Sequence, residues 1–146
     1  MVSPQNPGAV DDGALVAAAV EARRHAHAPY SRYAVGAAIL TEDGRVYPGC
    51  NVEISSYSLT CCAERVAIFK AVSEGRLRVR AVAVVTDSDP PASPCGACRQ
   101  VLHDFGSPDL RVILGRPDGG VVETTTLGEL LPRAFGPDDL LGRSSS

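Results

Sequence analysis

VRAVAVVT, residues 79–86, is a short, nearly continuous apolar run, the pattern of a strand buried on both faces. Upstream, residues 62–72 carry Val66, Ala67, Phe69 and Ala71 in the pattern of a buried helix, with Gly75 as its terminator. Downstream, the loop DSDPPASP leads to Cys95; residues 96–105 then read as a helix and residues 110–115 as a strand. Further out, the Ala-rich residues 13–27 form a helix that Asp11 or Asp12 can cap and that Pro29 ends. Residues 35–40 and 45–52 flank the turn Glu42-Asp43-Gly44 as a hairpin. A turn at 117–120 precedes a strand at 121–125, and Thr126 can cap a last helix through 131. The order α-β-β-α-β-α-β-β-α, without repeat or internal linker, predicts an α/β fold of three layers, α/β/α.

The 146 residues fit one domain. With 45% hydrophobic residues, a chain this long buries about 70% of the surface its unfolded form exposes and needs no disulfide framework. Residues 1–10, rich in Pro, Gly, Asn and Gln, are expected to be a flexible tail, 11–142 the domain and 143–146 a second tail. The net charge of -3, and an arginine cluster (Arg76, Arg78, Arg80) with no interleaved aromatics, argue against a nucleic-acid groove and for a small-molecule ligand. No apolar run approaches the ~20 residues of a membrane span. The N-terminus lacks a charged n-region and an apolar h-region, so a cytoplasmic location is expected. Five cysteines in a reducing compartment point to metal ligation or catalysis.

Three of those cysteines sit at helix starts: Cys62 in TCCAER, and Cys95 and Cys98 in SPCGACRQ. A helix N-terminus favours the thiolate that binds zinc. Cys95 and Cys98, three apart, share one helix face and can reach one ion. A C-x-x-C alone is ambiguous between zinc, redox and coincidence, and the redox reading wants the pair after the first strand of a thioredoxin-like unit. Three protein ligands leave a fourth position for water, whose pKa zinc lowers to about 7. Glu64, two residues after Cys62, is near enough to move protons without ligating the metal; Arg65 or Arg99 can hydrogen-bond to sulfur. The bland readings are a first-turn acid for Glu64, buried small hydrophobes for Cys50 and Cys61, and solvated or capping roles for His25, His27 and His103. Cys61 as a fourth ligand would close the site, but its side chain diverges from that of Cys62.

The segments CAE at 62–64 and PCGAC at 94–98 resemble the zinc-dependent nucleobase deaminase signature in its all-cysteine form. PYSRYAVGAA from Pro29, GCNVE from Gly49, CAERVAIFKAVSEG from Cys62, SPCGACRQVL from Ser93 and LLPRAF from Leu130 resemble, more specifically, the small homotetrameric cytidine deaminases. The resemblance runs over residues 13–141 and implies a five-stranded mixed sheet between helices. It implies one zinc per subunit on Cys62, Cys95 and Cys98, and Glu64 as proton shuttle. It further implies Asn51 and Glu53 on the ribose 3'-hydroxyl and the backbone of Ala63 on the pyrimidine edge. Phe135 and Tyr57 match aromatics that reach a neighbouring subunit's site. Tyr33 replaces the usual Phe near the base, its added hydroxyl expected to face ribose or water, and Ile54 and Ser55 replace the usual Asn-Ala. On residue type alone, Asn51 reads as a turn cap and Glu53 as a solvated strand-end charge.

The implied activity is hydrolytic deamination of cytidine and 2'-deoxycytidine to uridine and 2'-deoxyuridine in pyrimidine salvage. Its rivals are a deaminase of a modified cytosine nucleoside of the blasticidin type, a polynucleotide-editing deaminase, which needs a positive channel and stacking aromatics, and a structural zinc module with a closed site.

Overall fold

The computed structural model describes residues 10–142. The predicted tails lie outside that range except for Val10, which is 6% exposed and packs with Leu15 and Val16. Apolar burial thus joins Val10 to the core beside α1.

Five strands form one sheet: β1 (Gly36–Thr41), β2 (Val46–Cys50), β3 (Val79–Val85), β4 (Arg111–Gly115) and β5 (Val121–Thr126), in the order β2-β1-β3-β4-β5. Only β3 and β4 pair in parallel; the other neighbours are antiparallel. Side chains alternate across a strand, and this sorts the core into two layers. Ala38, Leu40, Ala81, Ala83, Val85 and Ile113 meet Leu15, Val16 and Ala19 of α1 (Asp12–Arg23) on one face. Ile39, Val82, Val84, Val112 and Leu114 meet Ala67, Ile68 and Ala71 of α2 (Ala63–Ser73) and Leu102 of α3 (Gly96–Phe105) on the other. The predicted three-layer α/β/α architecture and five-stranded mixed sheet are present. The edge strand β5 is mostly exposed, with α4 (Leu127–Leu130) following it directly.

Asp11 caps α1, its carboxylate accepting the Ala14 N–H at 2.8 Å. The helix ends at Arg23 and not, as predicted, near His27. The Asn51 carbonyl captures the His27 N–H at 2.9 Å, and the His27 carbonyl accepts the Glu53 N–H at 2.8 Å, pairing the chain with residues 51–53 before Pro29 is reached. Two short pieces escape the sequence reading, a 3-10 turn at Tyr57–Leu59 and α5 (Pro137–Leu141). α5 starts at a proline, and Asp139 accepts the Gly136 N–H at 2.9 Å.

Gly49 lets α2 approach β2. A Cβ there would lie 2.6 Å from both the Ala63 carbonyl oxygen and the Ala67 nitrogen. Both are backbone atoms, so α2 itself has to move. Gly49→Ala is expected to cost roughly 1–3 kcal/mol, the range for overpacking, and to lower turnover, because the shifted turn carries Ala63 and Glu64. An unchanged melting temperature would contradict this close packing.

Candidate active site

Cys62 and Cys95 are the N-cap residues of α2 and α3, and neither side chain makes a capping hydrogen bond. Cys98 lies one turn into α3 and is fully buried. The Sγ atoms of Cys62 and Cys95 are 3.9 Å apart, and the three sulfurs all lie within 4.8 Å of one another. Tetrahedral zinc with Zn–S bonds of about 2.3 Å needs sulfurs about 3.8 Å apart. The cluster therefore fits one zinc ion, and three soft thiols are a donor set suited to it.

Cys61 stands apart from this cluster among the described residues. Its backbone pairs with Val52, N–H to carbonyl at 3.0 Å and 2.9 Å in the two directions, and burial pushes its thiol pKa up. That pairing leaves three ligands, not the four of a closed site.

The thiols are electrostatically poised for a cation. A hydrogen bond from Cys98, helped by Arg65, pulls Cys62 down to about 5 against the opposing cost of burial. Cys98, sharing its proton with Cys62 and buried, is shifted upward. A metal ion bound there would take the place of the proton that Cys62 and Cys98 share. Arg65 donates from Nη2 to Cys62 Sγ at 3.3 Å, as the sequence suggested. Arg99 does not reach sulfur. It donates to the Pro94 carbonyl at 2.7 Å, the Leu130 carbonyl at 2.8 Å and Ser93 Oγ at 2.8 Å, fixing the segment that leads into Cys95.

Glu64 is on the first turn of α2, 4% exposed and outside the sulfur cluster. Burial lifts its carboxyl to about 6, and the neighbouring Cys62 thiolate adds to the shift. A carboxyl in that range can both accept and return a proton near neutrality.

A pocket of 290 Å³ opens onto this group, close to the lower end of the roughly 300–1,000 Å³ of small-molecule sites. Tyr33, Asn51, Glu53, Ala63 and Glu64 line it together with Cys62 and Cys95. Residues 51–53 are extended, and the period of 2 puts Asn51 and Glu53 on one face. Glu53, 9% exposed, is not a solvated charge, while Asn51, 8% exposed, does cap the backbone of residues 33–35. Asn51 Oδ1 accepts the Val35 N–H at 2.9 Å, and its Nδ2 donates to the Tyr33 carbonyl at 2.8 Å. Glu53 accepts the N–H groups of Tyr30 and Ser31 at 3.0 Å and 3.1 Å and the Ser31 hydroxyl. Those bonds, the hydroxyl first, hold its carboxyl below the ordinary range. The pair thus builds the wall formed by residues 30–35 while keeping lone pairs and one amide proton for a ligand.

The Tyr33 hydroxyl bonds to Ser88 Oγ at 2.8 Å, so it faces protein instead of the expected ribose or water. Phe135 and Tyr57 are exposed and outside this chain's own pocket. Phe135 borders a groove with Phe69, Leu140 and Leu141, and Tyr57 packs edge-on to Tyr30 at 6.0 Å. Ile54 lies outside the pocket, its N–H bonded to Thr60 Oγ1 at 3.0 Å. Sequence reasoning missed Ser31, Thr60, Thr86 and Ser93, which also line the pocket. Their hydroxyls carry no spacing signal; Ser31 and Ser93 lie within the resembling segments but were overshadowed by Tyr33 and the cysteines.

The family profile described as "Cytidine and deoxycytidylate deaminase zinc-binding region" matches residues 10–114. The chain belongs to this family. Its cofactor is zinc, and the three cysteines are where the family's zinc-binding region and the geometry coincide. The chain is 52% identical over 126 residues to a cytidine deaminase of Sporosarcina psychrophila, covering 86% of this chain and 92% of that protein. It is 50% identical over 131 residues to the one from Halalkalibacterium halodurans, covering 90% and 98%. Among solved structures, the cytidine deaminase from Burkholderia pseudomallei superposes with a TM-score of 0.81 at 48% identity, covering 86% of this chain and 100% of that one. That from Mycobacterium tuberculosis gives 0.74 at 44%, covering 87% and 98%. No helix among the described residues is long and apolar enough to cross a membrane.

Proposed function

We propose that this chain hydrolyses cytidine and 2'-deoxycytidine to uridine and 2'-deoxyuridine with release of ammonia, as an enzyme of pyrimidine salvage in the cytoplasm. The observation that carries the reading is Glu64, a buried carboxyl with a raised pKa that lines the pocket beside a three-thiol cluster without joining it. Bound zinc supplies a Lewis acid that brings the pKa of water to about 7. Glu64 takes a proton from the attacking water and delivers it to the ring nitrogen next to the amine-bearing carbon. It then carries the second proton to the departing amine, serving as base and acid in turn. The Ala63 backbone at the start of α2 reads the pyrimidine edge, and Asn51 and Glu53 hold the ribose 3'-hydroxyl. The ring of Tyr33 forms a wall near the base.

Phe135 and Tyr57 extend into a neighbouring subunit's site in a homotetramer. Their exposure, and the apolar groove beside Phe135, support that assignment.

The test is ammonia release and ultraviolet loss with cytidine, 2'-deoxycytidine, cytosine and dCMP side by side on the zinc-loaded protein. Both nucleosides are expected to turn over, and cytosine poorly, because a site built to bond a hydroxyl rejects an analogue lacking it. Silence on all four with zinc bound would move the substrate to a modified cytosine nucleoside.

A further inference from the structure

Two stretches outside helices and strands form the rim of the pocket: residues 28–35, and residues 86–95, which deliver Cys95 to the cluster. Three hydroxyls join them. Tyr33 Oη lies 2.8 Å from Ser88 Oγ, Ser88 Oγ lies 2.8 Å from Thr86 Oγ1, and Thr86 Oγ1 accepts the Ala92 N–H at 3.2 Å. In each hydroxyl pair either oxygen can be the donor, and Thr86 Oγ1 has lone pairs enough to accept the Ala92 N–H as well. Tyr33, Thr86 and Ala92 line the pocket but Ser88 does not, so the chain runs behind the wall and leaves the substrate volume clear.

The same two stretches are held from outside. Arg23 of α1 donates from Nε to the Ala34 carbonyl at 3.0 Å and pairs through its guanidinium with Asp87. Arg116 pairs with Asp89 at 3.2 Å. Beyond Ala92, Arg99 grips Ser93 and Pro94. Tyr33 is the side chain that converts these anchors into control of a pocket surface, because its ring is wall and its hydroxyl is tie.

We infer that Tyr33 is a positioning residue: through Ser88 and Thr86 it locks the wall that faces the base to the loop that carries Cys95, so the pocket is shaped before substrate enters. The inference rests on the proposed deamination and deepens it. Without the tie, binding has to order the rim, and that cost falls on affinity more than on the chemical step. Glu64 and the three sulfurs keep their places.

The experiment compares Tyr33→Phe, Ser88→Ala, the double variant and Ser88→Thr. Readouts are KM and kcat for cytidine and 2'-deoxycytidine and amide hydrogen exchange over residues 86–93. Each single hydroxyl loss is expected to raise KM about 3–10-fold, the size of one neutral hydrogen bond, with kcat moving far less. The double variant is expected to match either single change, since both cut one chain, and Ser88→Thr to recover most of the loss. The cytidine to 2'-deoxycytidine ratio stays constant, because the hydroxyl does not touch sugar. Exchange over 86–93 speeds up in Tyr33→Phe and Ser88→Ala. An unchanged KM, additive effects, or a shifted ratio in Tyr33→Phe would each overturn the tie. Exchange is read without substrate, which separates the two readings. Faster exchange in a protein inert towards cytidine overturns the proposed reaction and keeps the tie; normal turnover with unchanged exchange overturns the tie alone.

Discussion

Glu64→Gln is expected to keep its zinc and to lose about 10²–10⁴-fold in kcat on cytidine, the span attributed to a positioned general acid–base group. The amide preserves shape and hydrogen bonding at a position that is 4% exposed on the first turn of α2. It cannot accept a proton. Zinc retention follows from geometry, because the carboxyl lies outside the group of three sulfurs that come within 4.8 Å of one another. The pH profile carries the same information: a carboxylate must be ionised to take the first proton, so the rate of the unaltered protein falls as pH drops through the Glu64 pKa. Burial raises that pKa, which brings the acid limb closer to neutrality than an ordinary glutamate would. The residual rate of Glu64→Gln should lack this limb. Equal kcat in the two proteins would remove Glu64 from the chemistry.

What could be read from the sequence was what period and spacing encode. The continuous apolar runs of β1, β3 and β4 report two-sided burial directly, and C-x-x-C at the start of α3 reports a shared ion because residues three apart overlie each other on a helix. The end of α1 was not legible, because Ala26 and His27 are compatible with a helix until residues 51–53 offer their backbone groups. Such pairing over 24 positions leaves no local signature. The same limit applies inside the site. Family resemblance led to the expectation that Asn51 and Glu53 contact ribose, whereas their work as struts for residues 30–35 appears only once Val35, Tyr33 and Ser31 are seen beside them. The partner of the Tyr33 hydroxyl lies 55 positions away, at Ser88. Arg65 and Arg99 were equal candidates by sequence, and only the fold separates the one facing sulfur from the one bracing a loop.

Cys98→Ser is expected to abolish stoichiometric zinc binding and, with it, detectable turnover. A serine hydroxyl does not ionise in the range where a thiol does, and Cys98 is fully buried at the junction of α2 and α3, where no outside donor can replace it. Arg65→Ala is the graded counterpart. It removes the 3.3 Å contact to Cys62 Sγ but no ligand, and outer partners of this kind are worth about 10–100-fold in metal affinity or activity. Cys61→Ala should retain zinc fully, since Cys61 stands apart from the cluster and its backbone pairing with Val52 does not depend on the thiol. The three variants are ranked by competition with a chromophoric chelator, alongside melting temperatures with and without metal. Because ligation and folding are coupled, Cys98→Ser should melt below the zinc-loaded protein and gain nothing when zinc is added. Full zinc occupancy in Cys98→Ser, or zinc loss in Cys61→Ala, would show that the ion is held by a different set of ligands.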